Sequence, residues 1–252
     1  MRKTAAFMVL LLPGGLLGGC ATDEPAGATA GADRGVAARA DGGARPSAGD
    51  GGAGGDAAKK PEPACGPGIY PCGPYGVEVG DVVENLSFKG LADPDFLCKD
   101  TASQAHAANL TELSFKRFFQ GDAKCKGKHQ LLWVSASAGW CGPCHAEAKE
   151  TSAQYTAGKV DPRVAILNVV LETDRPGQPV TEDFLRLWAK NNKFQLTYPV
   201  AMDPESRLTR YFDKNALPYN MIVELSTMKV IYRQTGSNLP GIGSAIFSYL
   251  QQ

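Results

Sequence analysis

The chain has 252 residues, 26 basic and 26 acidic side chains and a hydrophobic fraction of 43%, enough for one or two globular domains with a real core. Its balanced charge is scattered and gathers into no basic stripe, so nucleic acid is not an expected partner and a protein or small molecule is.

Arg2 and Lys3 precede an apolar run from Ala5 to Leu12, which Leu16 and Leu17 continue after Pro13-Gly14-Gly15. That is the make-up of a signal peptide over residues 1–19, because the Pro-Gly-Gly break interrupts the roughly 18 apolar residues that a spanning helix needs. Leu17-Gly18-Gly19-Cys20 resembles the lipobox of bacterial lipoproteins. The resemblance implies cleavage before Cys20, a lipid on that cysteine, and anchorage on the periplasmic side of a bacterial membrane, with the outer membrane as one candidate. An incidental cysteine at the end of an ordinary signal peptide is the alternative. From Ala21 to Ala64 small, charged and proline residues dominate and Val36 is the only large aliphatic one. Such a segment cannot bury enough apolar surface to offset its ordering entropy, so residues 20–64 are expected to be a disordered tether spanning about 35–40 Å.

A folded domain is expected over residues 65–252, with 65–128 as an N-terminal extension of weak hydrophobic patterning and 129–252 as the core. Gln130–Ser137 reads as a buried strand, and Cys141 to about Ala157 as a helix with Pro143 in its first turn. Arg163–Leu171 is a second, β-branched strand. Thr181–Lys193 has helical spacing of Phe184, Leu185, Trp188 and Ala189, with Thr181 as N-cap. There follow a short strand at 198–202, a short helix at 206–212, a hairpin of Tyr219–Glu224 with Lys229–Gln234, and a closing helix at 243–250. This order predicts an α/β sandwich.

Trp140-Cys141-Gly142-Pro143-Cys144 falls where the first strand ends and a helix begins, the setting in which C-x-x-C becomes a redox motif. The positive end of the helix stabilises the first thiolate, lowering its pKa from about 8.5 into the range of roughly 3.5–7.5 and making Cys141 the nucleophile and Cys144 the resolving thiol. A zinc half-site and an inert structural disulfide are the alternatives. Zinc usually wants four ligands, and no second C-x-x-C or H-x-x-x-H is present, so no metal and no other cofactor is expected.

The motif resembles the thioredoxin superfamily, and Ala216-Leu217-Pro218-Tyr219-Asn220 is similar to the cis-proline loop of that family. The resemblance covers about 120 residues from Gln130 onward and implies a thioredoxin-like fold with a central mixed sheet flanked by helices. It implies a cis Pro218 facing the Cys pair, and substrate binding by the Leu217 backbone, Pro218 and Trp140. An ordinary loop-to-strand proline is the alternative. The chain looks most like the extracytoplasmic TlpA/ResA-like branch and less like the AhpC/TSA group. Val79–Phe88 is similar to the N-terminal hairpin lead of both, and Glu147 matches a position where ResA-like proteins carry a glutamate near the redox pair. Glu147 could exchange the proton of Cys144, although a surface helix glutamate is equally compatible with the sequence. Thioredoxins carry an Asp six residues before the first Cys, where Ser135 stands here. A peroxiredoxin would need Thr or Ser where Ala138 stands, and a Sco-like copper protein would need C-x-x-x-C.

The expected activity is therefore thiol-disulfide exchange with protein substrates, reducing rather than oxidising, supplied by an unidentified redox donor. A non-enzymatic thioredoxin-fold lipoprotein acting as a binding scaffold is the competing class. Cys65, Cys72, Cys98 and Cys125 remain, an even number in an exported chain, and are expected to form structural disulfides. Three pairings are open, with proximity favouring Cys65–Cys72 and Cys98–Cys125.

Overall fold

The computed structural model describes residues 65–66, 69–93, 95–98, 110–121, 125, 127–191 and 195–252. The signal-peptide, lipidation and tether readings of residues 1–64, Cys20 among them, lie outside the described residues.

Strands β1 (Ser87–Leu91) and β2 (Thr111–Ser114) are followed by helix α1 (Phe115–Gln120), then β3 (Leu131–Ser137), α2 (Gly142–Thr156), β4 (Val164–Val170) and α3 (Glu182–Ala189). After β5 (Val200–Met202) come a 3-10 helix (Arg207–Tyr211), β6 (Tyr219–Glu224), β7 (Lys229–Thr235) and α4 (Leu239–Leu250). All seven strands share one mixed sheet in the order β2-β1-β5-β4-β3-β6-β7. β3, β4 and β5 run parallel, β6 is antiparallel to β3, and β7 is antiparallel to β6. Every residue of β3 and β4 is buried, as continuous apolar strands in a sheet covered on both faces should be.

Alternation along the strands sorts side chains into two cores. Leu132, Val134 and Ala136 of β3 join Leu167, Met221, Phe115 and Tyr211 on one face. Leu131 and Trp133 point the other way, into a core shared with Cys141, Cys144, Leu185, Trp188 and Ile242. The Cys141–Cys144 pair therefore lies on the face covered by α2, α3 and α4.

Weakly patterned as they are, residues 65–128 supply Tyr70, Val83, Leu86, Phe88, Leu113, Phe115 and Phe118 to the first core, and two expected helix bounds are corrected. β1 pairs with β5 as well as β2, joining this region to the common sheet. α3 stops at Ala189 rather than Lys193, because Lys190 is extended and bridges to Gln195. α4 begins at Leu239, with Asn238 accepting the Gly241 N–H and Pro240 in the first turn, a better start than Gly243.

Two disulfides brace the first part of the domain, Cys65–Cys72 with Cα atoms 5.1 Å apart and Cys98–Cys125 at 5.3 Å. With the order β3-α2-β4 followed by the antiparallel β6-β7 pair and α4, the fold is thioredoxin-like.

Candidate functional site: a cysteine pair above a buried carboxylate

Between β3 and α2 the chain makes a tight turn. The Cys141 N–H donates to Ala138 O at 3.1 Å, and the Gly139 N–H donates to Glu172 O at 3.0 Å. A Cβ on Gly139 would sit 2.2 Å from the Phe184 ring and 2.7 Å from the Asp174 nitrogen, so glycine permits this close approach. Cys141 then caps α2, its Sγ accepting the Cys144 N–H at 3.1 Å, with Pro143 in the first turn. The two cysteines are joined, with Cα atoms 5.2 Å apart. Both are buried, whereas Gly142 and Pro143 are exposed. A ring bond between His145 Nε2 and Gly139 O, at 2.7 Å, ties the turn to the helix.

The bond between Leu217 and Pro218 is cis. β6 begins immediately after it, and pairing of Tyr219 with Ala136 sets this loop beside the end of β3, where the cysteine turn starts. The Gly236 N–H donates to Pro218 O at 2.7 Å. Leu217 and Trp140, each half-buried, pack against the core that contains both cysteines. The Trp140 indole N–H donates to Glu172 Oε2 at 2.7 Å.

Beneath the pair lies a polar network. α2 buries Cys144, Glu147, Ala148, Thr151 and Ser152, the i, i+3, i+4, i+7, i+8 face of one helix. Glu147 is only 3% exposed, which removes the surface-helix reading of this residue. Asn220 Nδ2 donates to both of its oxygens, at 3.1 and 3.0 Å, and Ser135 Oγ donates to Oε1 at 3.0 Å. Burial pushes the Glu147 carboxyl above its ordinary range, and hydrogen bonds from Asn220, Ser135 and Ser237 oppose the rise without cancelling it. The Trp133 indole N–H donates to Asn220 Oδ1 at 2.7 Å. Asn168 of β4 donates to Ser137 Oγ at 2.9 Å and accepts from the Trp188 indole at 2.8 Å.

Cys141, Cys144, Glu147, Trp140, Leu217 and Pro218 thus converge at one end of the sheet. Cys125 packs against the opposite core, away from this site. Among the described residues no group of three or more His, Cys, Asp or Glu could hold a metal ion. Sequence reasoning missed Asn220, Asn168, Trp133 and Glu172. Asn168 and Asn220 carried a signal, each a polar side chain among apolar neighbours inside its strand.

No family model matches the chain, and no curated protein matches it in sequence. Among solved structures it is similar to a Chlorobium tepidum protein assigned as thiol:disulfide interchange protein DsbE, at 15% identity and a TM-score of 0.45, over 69% of this chain and 98% of that one. StoA of Bacillus subtilis is 15% identical with a TM-score of 0.41, over 64% and 96%. AhpC of Mycobacterium tuberculosis is 14% identical with a TM-score of 0.48, over 69% and 93%. The chain's own sheet order, with the Cys141–Cys144 pair at the start of α2 and a cis-proline loop beside it, makes this a thioredoxin-fold protein.

Proposed function

We propose that this chain is a thiol-disulfide oxidoreductase of the TlpA/ResA-like kind, acting on protein substrates in the bacterial envelope and anchored through a lipid on Cys20. The observation that carries the reading is Cys141 as the N-cap of α2, its sulfur accepting the helix-end Cys144 N–H at 3.1 Å, where a thiolate gains from both hydrogen bond and helix dipole. In the reducing direction the Cys141 thiolate attacks a substrate disulfide, forms a mixed disulfide and expels one substrate thiol. Cys144 loses its proton to Glu147 and attacks Cys141, releasing the second substrate thiol and closing the Cys141–Cys144 bond. Two electrons pass to the substrate, and a donor dithiol of the envelope restores the pair. The Leu217 backbone and the Trp140 indole flank the extended substrate segment. The Gly142-Pro143 dipeptide and the signal-peptide and lipobox readings of residues 1–20 support the reducing direction and the envelope location.

The test is the reduction potential of the Cys141–Cys144 couple, measured on the full chain in glutathione or dithiothreitol buffers. A reversible couple near about −250 mV or below is expected of a reductase, and one above about −150 mV marks an oxidant or isomerase. A pair that is reduced only on unfolding would instead make the protein a binding scaffold. Cys141→Ser should abolish exchange, and Cys144→Ser should trap the mixed disulfide.

A further inference from the structure

We propose that Asn220, its amide locked by Trp133, is the positioning residue that aims the Glu147 carboxylate at the cysteine pair. The inference rests on the thiol-exchange reading and goes beyond it by naming what fixes the proton acceptor.

An indole N–H can only donate, so Trp133 Nε1 at 2.7 Å must face the carbonyl oxygen of the Asn220 side chain. The amide is thereby prevented from flipping, and its NH₂ end must face α2. There it straddles the Glu147 carboxylate at 3.1 and 3.0 Å. Asn220 is fully buried, stands in β6 two residues after the cis Pro218, and pairs with Ser135 across the strands. Ser135 donates to the same carboxylate from β3 at 3.0 Å. Held from two strands, Glu147 has little freedom to rotate. Residues 144 and 147 share the buried face of α2, and helical side chains lean toward the N-terminus, so the fixed carboxylate is directed over the turn that carries Cys144. A carboxylate this buried would otherwise be neutralised or turn away, and Asn220 supplies the donor that keeps it ionisable in place.

The other groups near Glu147 do not compete for this role. Tyr198, which precedes β5, is fully buried and donates to Ala148 O at 3.3 Å. His145 of α2 faces the Trp188 ring, with centroids 4.7 Å apart, and bonds to Gly139 O. Ser237, after β7, acts on Glu147 in the same direction as Asn220, favouring the ionised carboxylate, and is the weakest of the three. In the step itself the proton moves from Cys144 Sγ to a Glu147 oxygen, the Cys144 thiolate forms the bond to Cys141, and the departing substrate thiolate takes up a proton.

The experiment measures resolution of the mixed disulfide between pH 4 and 9 with the full chain and a protein disulfide, and titrates the Glu147 carboxyl by 13C NMR in the oxidised protein. Asn220→Leu should move the Glu147-controlled limb upward by roughly one pH unit, slowing resolution about tenfold below it. Asn220→Ser, which restores one donor, should recover part of the shift. Trp133→Phe should move the limb the same way by less. The 13C titration should move with the limb in each case. A limb unmoved in folded Asn220→Leu, or a carboxyl titration that moves while the limb stays, overturns the assignment. Should Asn220→Leu not fold, the Trp133→Phe and Asn220→Ser pair decides by the same criteria. A wild-type chain that exchanges no disulfide defeats the thiol-exchange reading itself, whereas an unmoved limb in an active protein defeats only the role of Asn220.

Discussion

Trp140 is held by Glu172: the indole N–H donates to Oε2 at 2.7 Å, and the same oxygen accepts the Gly177 N–H at 2.8 Å. One carboxylate therefore joins the residue preceding Cys141 to the exposed turn that follows β4. The Gly139 N–H to Glu172 O bond adds a backbone tie at the same place.

Glu172→Ala should free the indole and loosen the turn while sparing the backbone tie. Hydrogen bonds to a charged group are worth about 1.5–3 kcal/mol, and partial exposure reduces this to roughly 1 kcal/mol. Exchange with an unfolded protein disulfide should slow about fivefold, while exchange with a small aromatic disulfide should change less than twofold. Equal slowing of both would show that Glu172 acts on the cysteines and not on the substrate surface.

Glu147 sets a pH dependence whose sign is fixed by its raised pKa. Between the ordinary carboxyl value and the raised one, the folded protein keeps a proton that the unfolded chain has released, so stability falls as pH rises through that window. Above it the penalty is complete, at about 1.4 kcal/mol per unit of upward shift. Urea denaturation of the oxidised protein and of Glu147→Gln should therefore diverge from pH 4 to pH 8, the wild type losing stability relative to the variant. A difference independent of pH would mean that the carboxyl titrates alike in the folded and unfolded chain.

The cysteine turn was legible because its signals are local: a strand, a turn with Gly142 and Pro143, and a capping cysteine lie within a few positions. The Thr181 cap of α3 was legible for the same reason, with its side chain accepting the Phe184 N–H. The floor of the site was not. The inner face of α2 combines Glu147, Thr151 and Ser152 with Cys144 and Ala148, so no apolar stripe marks it, and Glu147 is answered by Asn220 from 73 positions downstream. β1 was hidden similarly, since Lys89 and Gly90 interrupt its apolar residues and its second partner is the distant β5.

Gly90 shows how tightly that edge is fitted. It pairs with Thr111 on one side and Ala201 on the other, and a Cβ there would lie 2.5 Å from Val200 O and 2.9 Å from Ala201 Cα. Both are backbone atoms of a paired strand and cannot swing away, so Gly90→Ala should cost about 1–3 kcal/mol. Gly243→Ala should do the opposite. It is helical and meets nothing within 4 Å, so alanine should stabilise by about 0.5–1 kcal/mol through the unfolded chain. Shifts of the urea midpoint in opposite directions are the expected result, and a neutral Gly90→Ala would show that β1 and β5 separate easily.

The two bracing disulfides should differ in weight. Cys98–Cys125 closes 27 positions and Cys65–Cys72 only 7, and loop-closure entropy puts these at about 3.5 and 2.3 kcal/mol. Replacing Cys98 and Cys125 by serine should thus lower stability more than replacing Cys65 and Cys72, the ordering being read from urea midpoints of the two double variants. Neither change should move the potential of the Cys141–Cys144 couple, because Cys125 packs on the face of the sheet opposite the redox pair. A potential that shifted with Cys98→Ser/Cys125→Ser, in protein still folded at the assay temperature, would require the two faces to communicate through β3, whose residues alternate between them.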